Sequence, residues 1–564
     1  MKGSEAIVST LVDKGFDVTF GFPGGTVIPL FDAFLDNDKI RNILVRHEQA
    51  AAHAADAYAR VLGKPGICIA TSGPGATNLV TGIMNAYMDS SPILAFGGQV
   101  STNLIGNDAF QESDMIGITM PITKHSFQPR NADEIIPAIL KGLRIATEGR
   151  PGPVYIDLPK DVQCQEVKNL NRNVKIAGFQ PNLHGNPVQI RKAAEAINNS
   201  ERPLFLAGGG VSLSNASAEL GRLVNMVKAP IATTLMGKGI FPEDHPLCLG
   251  MVGMHGRRIA NYAVLKCDLL IAIGCRFSDR ITGELSSFAE NAKVIHIDVD
   301  PAEIGKNVKV DIPIVGDARL VISDLINVLS KTGAKSPSAW GKRIKELAEM
   351  CKCNLDYDTT PISPRRLIKD LRGIIKDDIV CTGVGQHQMY AAHYLRIRKP
   401  RHFITSGGAG TMGFGLPAAI GAKTAKPECE VYNLDGDGSF AMTQQELGTI
   451  KEENIKVITA IFNNEYLGMV RQWLDIFFDK RYSQVHLKKT PDFAKLAEAY
   501  SLNGYSVDKP GDIIPTLKEA KKNKEASVLD IHIDPSENIL PMLPPGGHLR
   551  DAFGGCMNSK GEFF

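Results

Sequence analysis

The sequence has no excess of charge, no long apolar run and no cysteine pair at CxxC spacing. With 63 basic and 61 acidic residues in 564, neither nucleic acid nor an anionic membrane is expected as a partner. No stretch reaches the eighteen or more apolar residues of a membrane-crossing helix. The opening MKGSEAIVSTLVDKG reads as an amphipathic helix rather than the core of a signal peptide. A cytoplasmic protein is therefore expected. The ten cysteines are scattered, with Cys68 and Cys381 inside buried-looking strands. Reduced core thiols follow from that distribution, and the one close pair, Cys351 and Cys353, reads as incidental. No internal repeat is visible.

What the chain does have is length and alternation. It is long enough for roughly three or four domains, and 43% of it is apolar, as in a globular protein. Short apolar runs alternate with helical patterns in three segments, which predicts three α/β domains with parallel sheets. The first covers 1–165, with strands at VTFGFPGG, GICIATSG, PILAFGGQ and PVYIDLP. Residues 166–187 are polar and aperiodic, as in a linker. The second covers 188–340, with strands at PLFLAGGG, APIATTL, DLLIAIGCRF and KVIHIDVD. A second connection occupies about 335–363. The third covers 364–540, with strands at DDIVCTGVG, HFITSGG, EVYNLDGDG, KVITAIFNN and SVLDIHID, before a glycine- and proline-rich tail over 541–564.

The most specific signal lies between Leu434 and Asn464. VYNLDGDG is an apolar strand that runs into a glycine-flanked carboxylate. FAMTQQELGTIKEEN has helical spacing, and KVITAIFNN is a second buried strand ending in two amides. In a parallel sheet with a crossover helix, the carboxyl ends of both strands face one crevice. Asp437 and Asn464 then stand side by side as hard oxygen ligands, the kind of site that holds Mg²⁺ with few protein groups and substrate phosphates. Gly436, Gly438 and a helix start after Ser439 let backbone N–H groups approach a diphosphate.

This stretch resembles the diphosphate motif of the thiamine diphosphate (ThDP) enzymes, and the first segment extends the resemblance. GFPGG (21–25), RHEQAA (46–51) and TSGPGATN (71–78) follow the order of that superfamily's pyrimidine domain. Gly24 then belongs to the cofactor site. Glu48, at a helix start where the dipole also favours a carboxylate, matches the glutamate that drives the cofactor's 4′-amine to its imino form. Met412, in GAGTMGFG with Gly410, matches the bulky residue that keeps the cofactor bent. Val384, Gly385, Gln386 and His387, in GVGQHQ, fall among the implied cofactor contacts, and Tyr466 is implied as a backbone ligand to the metal beside Asp437 and Asn464.

Nearly the whole chain, from GFPGGTVIPLFDA to PMLPPGG, is similar to the catalytic subunits of the acetohydroxyacid synthase family. GQVSTNLIGNDAFQE with ITKH, GMVGMHG, GCRFSDRITG and NNEYLGMVRQW carry the likeness. It implies decarboxylation of pyruvate and transfer of the two-carbon unit to pyruvate or 2-oxobutanoate. Phe110, Gln111 and Lys124 match residues of the channel and reaction centre. Gln111 is suited to donate to a developing alkoxide. The guanidinium of Arg280 is suited to a bidentate grip on the acceptor's carboxylate. Trp473 matches the indole that packs on the extra methyl of 2-oxobutanoate. A homodimer with its site at the interface and a small regulatory subunit are implied as well.

In the middle segment the family holds FAD. The matching positions are Arg150, Gly208, Gly209, Met254, His255, Gly274, Arg276, Asp279, Asp298 and Asp317. The chain departs from the usual RFDDR at Ser278, and it carries Ser101 where proline is common. RFSDR still keeps both arginines and Asp279, which favours the flavin-binding, biosynthetic branch over the flavin-free catabolic one. The rival enzyme is a ThDP- and FAD-dependent pyruvate oxidase. A non-catalytic scaffold is disfavoured by intact Glu48, Asp437 and Asn464.

Overall fold

The structure is a computed structural model that describes residues 1–350 and 353–555. Cys351 and the last part of the 541–564 tail lie outside the described residues. Each of the three segments builds one six-stranded parallel sheet. The first contains β1 (Val18–Gly21), β2 (Arg41–Leu44), β3 (Gly66–Ala70), β4 (Ile93–Gln99), β5 (His125–Phe127) and β6 (Val154–Pro159), in the order 2-1-3-4-6-5. The second contains β7 (Pro203–Ala207), β8 (Ile231–Thr233), β9 (Cys248–Met251), β10 (Leu269–Ile273), β11 (Lys293–Asp298) and β12 (Ile312–Val315), in the order 12-11-10-7-8-9. The third contains β13 (Ile379–Thr382), β14 (Phe403–Ile404), β15 (Val431–Gly436), β16 (Ile458–Asn463), β17 (Asn503–Val507) and β18 (Ser527–His532), in the order 14-13-15-16-18-17. The fold class is three parallel-sheet α/β domains.

Every strand named from the sequence is present. The five that were not named are β2, β5, β9, β12 and β17, and all five are edge strands. An inner strand of a parallel sheet is covered on both faces and reads as a continuous apolar run. An edge strand is half wet, as the exposed Arg41 of β2 and the partly exposed Asn503–Tyr505 of β17 show, so its composition no longer marks it.

Two other expectations change. FAMTQQELGTIKEEN is not one helix but a short helix at Asp437–Phe440, a 3₁₀ turn at Gln444–Glu446 and a helix at Leu447–Glu452. The helix begins at Asp437, before Ser439. The break has a cause: the Thr443 hydroxyl donates to the Gly413 carbonyl at 3.0 Å, and Glu446 turns inward to accept the Arg46 N–H at 3.0 Å. The connection over 335–363 contains a helix, Ser338–Met350, which buries Trp340 with its indole N–H on the Pro203 carbonyl. Among the described residues, seven cysteines are free thiols. Cys353 is disulfide-bonded, so reduction throughout does not hold there.

The first and third sheets share a core. Helix Glu48–Leu62, rich in alanine, packs on helix Gly415–Ala425 so closely that a Cβ on Gly421 would lie 2.0 Å from the Ala54 carbonyl oxygen. Small side chains on both helices permit this approach. The described part of the tail returns to the central domain, burying Leu543, Leu549 and Ala552 there.

Candidate active site

The parallel register of β15 and β16 pairs Gly436 with Phe462, which brings the chain just beyond both strands to one crevice. A cavity of about 60 Å³ opens there. Its walls include Val384, Gly385, Gln386, His387, Met412, Gly436, Asp437, Gly438, Ser439, Asn464 and Tyr466. Eleven of the twelve residues that the resemblance assigns to the diphosphate, the metal and the bend are therefore gathered; the twelfth, Gly410, faces the neighbouring cavity.

Burial pushes the Asp437 carboxyl up to about 7, and its Oδ2 is buried with no hydrogen-bond partner among the described residues. A buried carboxylate oxygen left unpaired is costly, and a cation would satisfy it. Asn464 Oδ1 accepts the Tyr466 N–H at 3.0 Å, which aims the amide oxygen along the turn and leaves it a second lone pair. The Tyr466 ring stacks on His486, 4.5 Å between centroids. His387 is pushed down to about 3 by burial and is neutral; its Nε2 lies 3.6 Å from Asp435 Oδ1. A Cβ on Gly436 would stand 2.8 Å from His387 Nδ1, so glycine there lets the His387 ring pack against the turn.

Beside this crevice lies a cavity of about 870 Å³, walled by all three domains. Arg150, Gly209, Met254, His255, Gly274, Arg276, Asp279, Asp298 and Asp317 line it. Gly208 stands directly behind, where a Cβ would meet the Gly274 carbonyl oxygen at 2.1 Å. Asp317 caps helix Ala318–Thr332, accepting the Arg319 and Leu320 N–H groups. Burial pushes Asp298 up to about 6 and His255 down to about 4. Val384, Gly385, Met412, Met469 and Val470 belong to the walls of both cavities, so the two adjoin. Arg280 and Trp473 face the larger one. The Trp473 ring is half-buried, edge-on to Phe477 at 5.5 Å, and is not a core residue. Arg280 reaches Met254 Sδ at 3.4 Å and Asp279 at 3.6 Å.

Apart from Arg150, the first domain holds its candidates elsewhere. Glu48 opens its helix, is buried, and accepts from Asn78 Nδ2 at 2.9 Å. A Cβ on Gly75 would lie 3.2 Å from Glu48 Oε1, and one on Gly24 would strike Thr71 at 2.5 Å. Gln111 has a φ of 59° and packs against Gly73, while Phe110 beside it is 88% exposed. Gly24, Glu48 and Gln111 thus share one patch, but none of them lines either cavity. Lys124 does not either. Its ammonium donates to the carbonyls of Ile145 and Glu148 at the end of helix Ile135–Thr147, and burial pushes it down to about 8.

Sequence reasoning passed over Leu467, Met469 and Val470, which wall the small cavity. The signal was available: on helix Gly468–Phe477, positions 469, 470 and 473 share one face.

Compared with known proteins, the chain matches the thiamine pyrophosphate enzyme N-terminal TPP binding domain over residues 1–118, the central domain over 190–325 and the C-terminal TPP binding domain over 383–531. It is 55% identical to the "Probable acetolactate synthase large subunit" of Methanocaldococcus jannaschii, covering 98% of this chain and 95% of that protein. It is 45% identical to the acetolactate synthase large subunit of Porphyra purpurea, over 96% and 94%. The corresponding figures for Corynebacterium glutamicum are 44%, 98% and 90%. The chain belongs to the acetolactate synthase large-subunit family. As a member it is a ThDP-dependent carboligase, and the crevice at Asp437 lies in the C-terminal TPP binding domain of that family. No helix among the described residues is long and apolar enough to cross a membrane.

Proposed function

We propose that this acetolactate synthase subunit decarboxylates pyruvate and joins the two-carbon fragment to a second 2-oxo acid. Pyruvate as acceptor gives 2-acetolactate, and 2-oxobutanoate gives 2-aceto-2-hydroxybutanoate, the opening step of branched-chain amino acid synthesis. The observation that carries this reading is the unpartnered Asp437 Oδ2 in a small cavity that adjoins a large one containing Arg280 and Trp473.

ThDP, when bound, supplies the carbanion chemistry. Asp437, Asn464 and the Tyr466 carbonyl hold Mg²⁺. Gly385, Gln386, His387, Gly436, Gly438 and Ser439 face the diphosphate, and Met412 supports the cofactor between the two cavities. Arg280 holds the acceptor's carboxylate, Trp473 packs on its alkyl group, and Gln111 donates to the developing alkoxide.

Glu48 and Gln111 serve the site of a second copy of the chain. Their absence from both cavities of their own chain and the exposure of Phe110 beside them support a homodimeric site. FAD fills the larger cavity, in which nine of the ten family flavin positions converge and the Gly208–Gly274 contact leaves backbone open. The reaction is redox-neutral, so the flavin's role is structural. A small regulatory subunit is supported by the words "large subunit" in the relatives' names. A cytoplasmic location fits the composition.

The test is an assay of the purified chain with pyruvate, ThDP and Mg²⁺, scored for acetolactate and for oxygen uptake. Acetolactate without oxygen uptake is the expected result. Acetate with peroxide or reduced quinone would overturn it in favour of the oxidase.

A further inference from the structure

The loop Thr405–Met412 carries Gly410 and Met412 between the two cavities, yet its own domain supplies little of what fixes it. Helix Gln386–Tyr394 contributes one residue, Gln388, whose amide donates to Thr405 Oγ1 and the Ser406 carbonyl, both at 2.8 Å. Thr382 Oγ1 of the same domain shares a hydrogen bond with Thr405 Oγ1 at 2.6 Å, and the remaining side-chain hydrogen bonds to the loop come from the first domain. Asp89 Oδ2 accepts the Gly407 N–H at 2.9 Å, and its Oδ1 accepts the Gly408 N–H at 2.7 Å. Asn85 Oδ1 accepts the Ser406 hydroxyl at 2.5 Å and the Thr411 hydroxyl at 3.1 Å. Ser406 Oγ in turn accepts the Thr411 N–H at 2.8 Å. Arg60 Nη1 donates to the Thr405 carbonyl at 2.7 Å.

These side chains are themselves locked. Asn85 Nδ2 donates to Asp56 Oδ2 at 2.7 Å. Arg60 pairs with both oxygens of Asp56, at 2.6 and 2.8 Å, and reaches Asp89 Oδ2 at 3.1 Å. Asn85 and the side chain of Asp89 are fully buried. Close packing around both amides suits the two glycines. A Cβ on Gly408 would stand 3.1 Å from Asp89 Oδ1, and one on Gly407 would stand 2.4 Å from Met236 Sδ.

A buried carboxylate that accepts two successive amides is stronger than the same bonds to a neutral acceptor. Removing it leaves two buried N–H groups unpaired. Asp89 also belongs to the wall of the larger cavity, and since its side chain is fully buried it is the backbone that faces the cavity while the carboxylate sets the loop.

We propose that Asp89 and Asn85 are positioning residues for the reaction, fixing loop 405–412 from the first domain so that Met412 is held between the two cavities. The catalytic consequence rests on the reading of the crevice as the cofactor pocket. The geometric part does not. Neither residue touches Asp437, Asn464 or the diphosphate face, so their loss acts on the placement of Met412 and leaves the metal and diphosphate contacts, which carry most of the cofactor affinity, in place.

The test uses full-length Asp89→Asn, with Ser406→Ala as a second variant that keeps the charges of Arg60, Asp56 and Asp89 intact. In cofactor-free protein, amide exchange over 405–412 should quicken roughly tenfold in Asp89→Asn, the size of one lost bond to a charged group. With cofactor and pyruvate, kcat should fall about 100-fold, as a small misplacement can cause, while the KM for ThDP stays near the wild-type value. Ser406→Ala should show both effects to a smaller degree. Unchanged exchange over the loop in both variants would overturn the proposal, and so would a faster loop with wild-type kcat. A parallel rise in the KM for ThDP and in global exchange would make the network merely structural and would also overturn it. Should the wild type form no acetolactate, the functional reading fails by itself, and the loop exchange still decides whether Asp89 holds the loop.

Discussion

Asn78 donates its side-chain amide to Glu48 Oε2 at 2.9 Å, joining the start of helix Glu48–Leu62 to the end of helix Pro74–Asn78. The contact holds one oxygen of a buried carboxylate in place, on a patch that also carries Gln111. The diphosphate crevice lies in a different domain and does not include either residue. On the proposed reading, activation and anchoring of the cofactor fall to separate parts of the fold.

Glu48→Ala is expected to abolish turnover with ThDP binding retained. Isothermal titration with ThDP and Mg²⁺, beside the acetolactate assay, checks both halves. Wild-type exchange of the cofactor's C2 proton in this variant would remove Glu48 from activation.

Asp437→Ala should lose Mg²⁺-dependent ThDP binding outright, because it deletes the buried oxygen that has no hydrogen-bond partner among the described residues. Mixing it with Glu48→Ala under subunit-exchange conditions should restore some activity. One site of each mixed dimer would carry both defects and the other neither. Demonstrated exchange with no recovery would place the whole site within one chain.

Trp473→Leu should keep acetolactate formation but lose most of any preference for 2-oxobutanoate. One methylene in an apolar pocket is worth about 1–3 kcal/mol, or roughly 10- to 200-fold. Competition between the two acceptors, read as the product ratio, is the measurement. An unchanged ratio would take the indole out of the specificity pocket.

Gly208→Val should deplete the flavin, since its side chain would collide with the backbone at Gly274. Absorbance of the purified protein reads this directly. The wild type is expected to be yellow, with flavin that pyruvate does not reduce stoichiometrically.

Glu446 offers a pH test away from the site. Burial pushes its carboxyl up to about 7 from an ordinary 4.5. The charged and polar groups facing it are Arg46, through its N–H and its charge, the His47 N–H and the Thr449 hydroxyl. A carboxyl raised on folding stabilises the fold at low pH, and that contribution is lost as pH rises through about 7. Glu446→Gln, which stays neutral, should therefore gain in melting temperature relative to wild type between pH 5.5 and pH 8. A difference constant across that range would show that Glu446 does not titrate there.

Much of this protein was legible in the chain, and the reason is local. Inner strands such as Val431–Gly436 and Ile458–Asn463 are buried throughout, so their composition alone marks them and the glycines bound them. The GDG turn and the Asn463–Asn464 pair follow because parallel strands end on the same side. Tertiary structure decided what no local pattern encodes. Edge strands such as Arg41–Leu44 and Asn503–Val507 are partly wet and mimic loops. The crossover breaks where Thr443 and Glu446 bond to Gly413 and to Arg46. Lys124, which the resemblance matched to the reaction centre, turns to cap a helix end. Asp89 and Asn85 carry no signal along the chain, and meet Gly407, Gly408 and Ser406 more than 300 residues away. Periodicity and turn chemistry act over a few residues. The packing of one domain on another selects partners at any separation, and only the folded chain shows them.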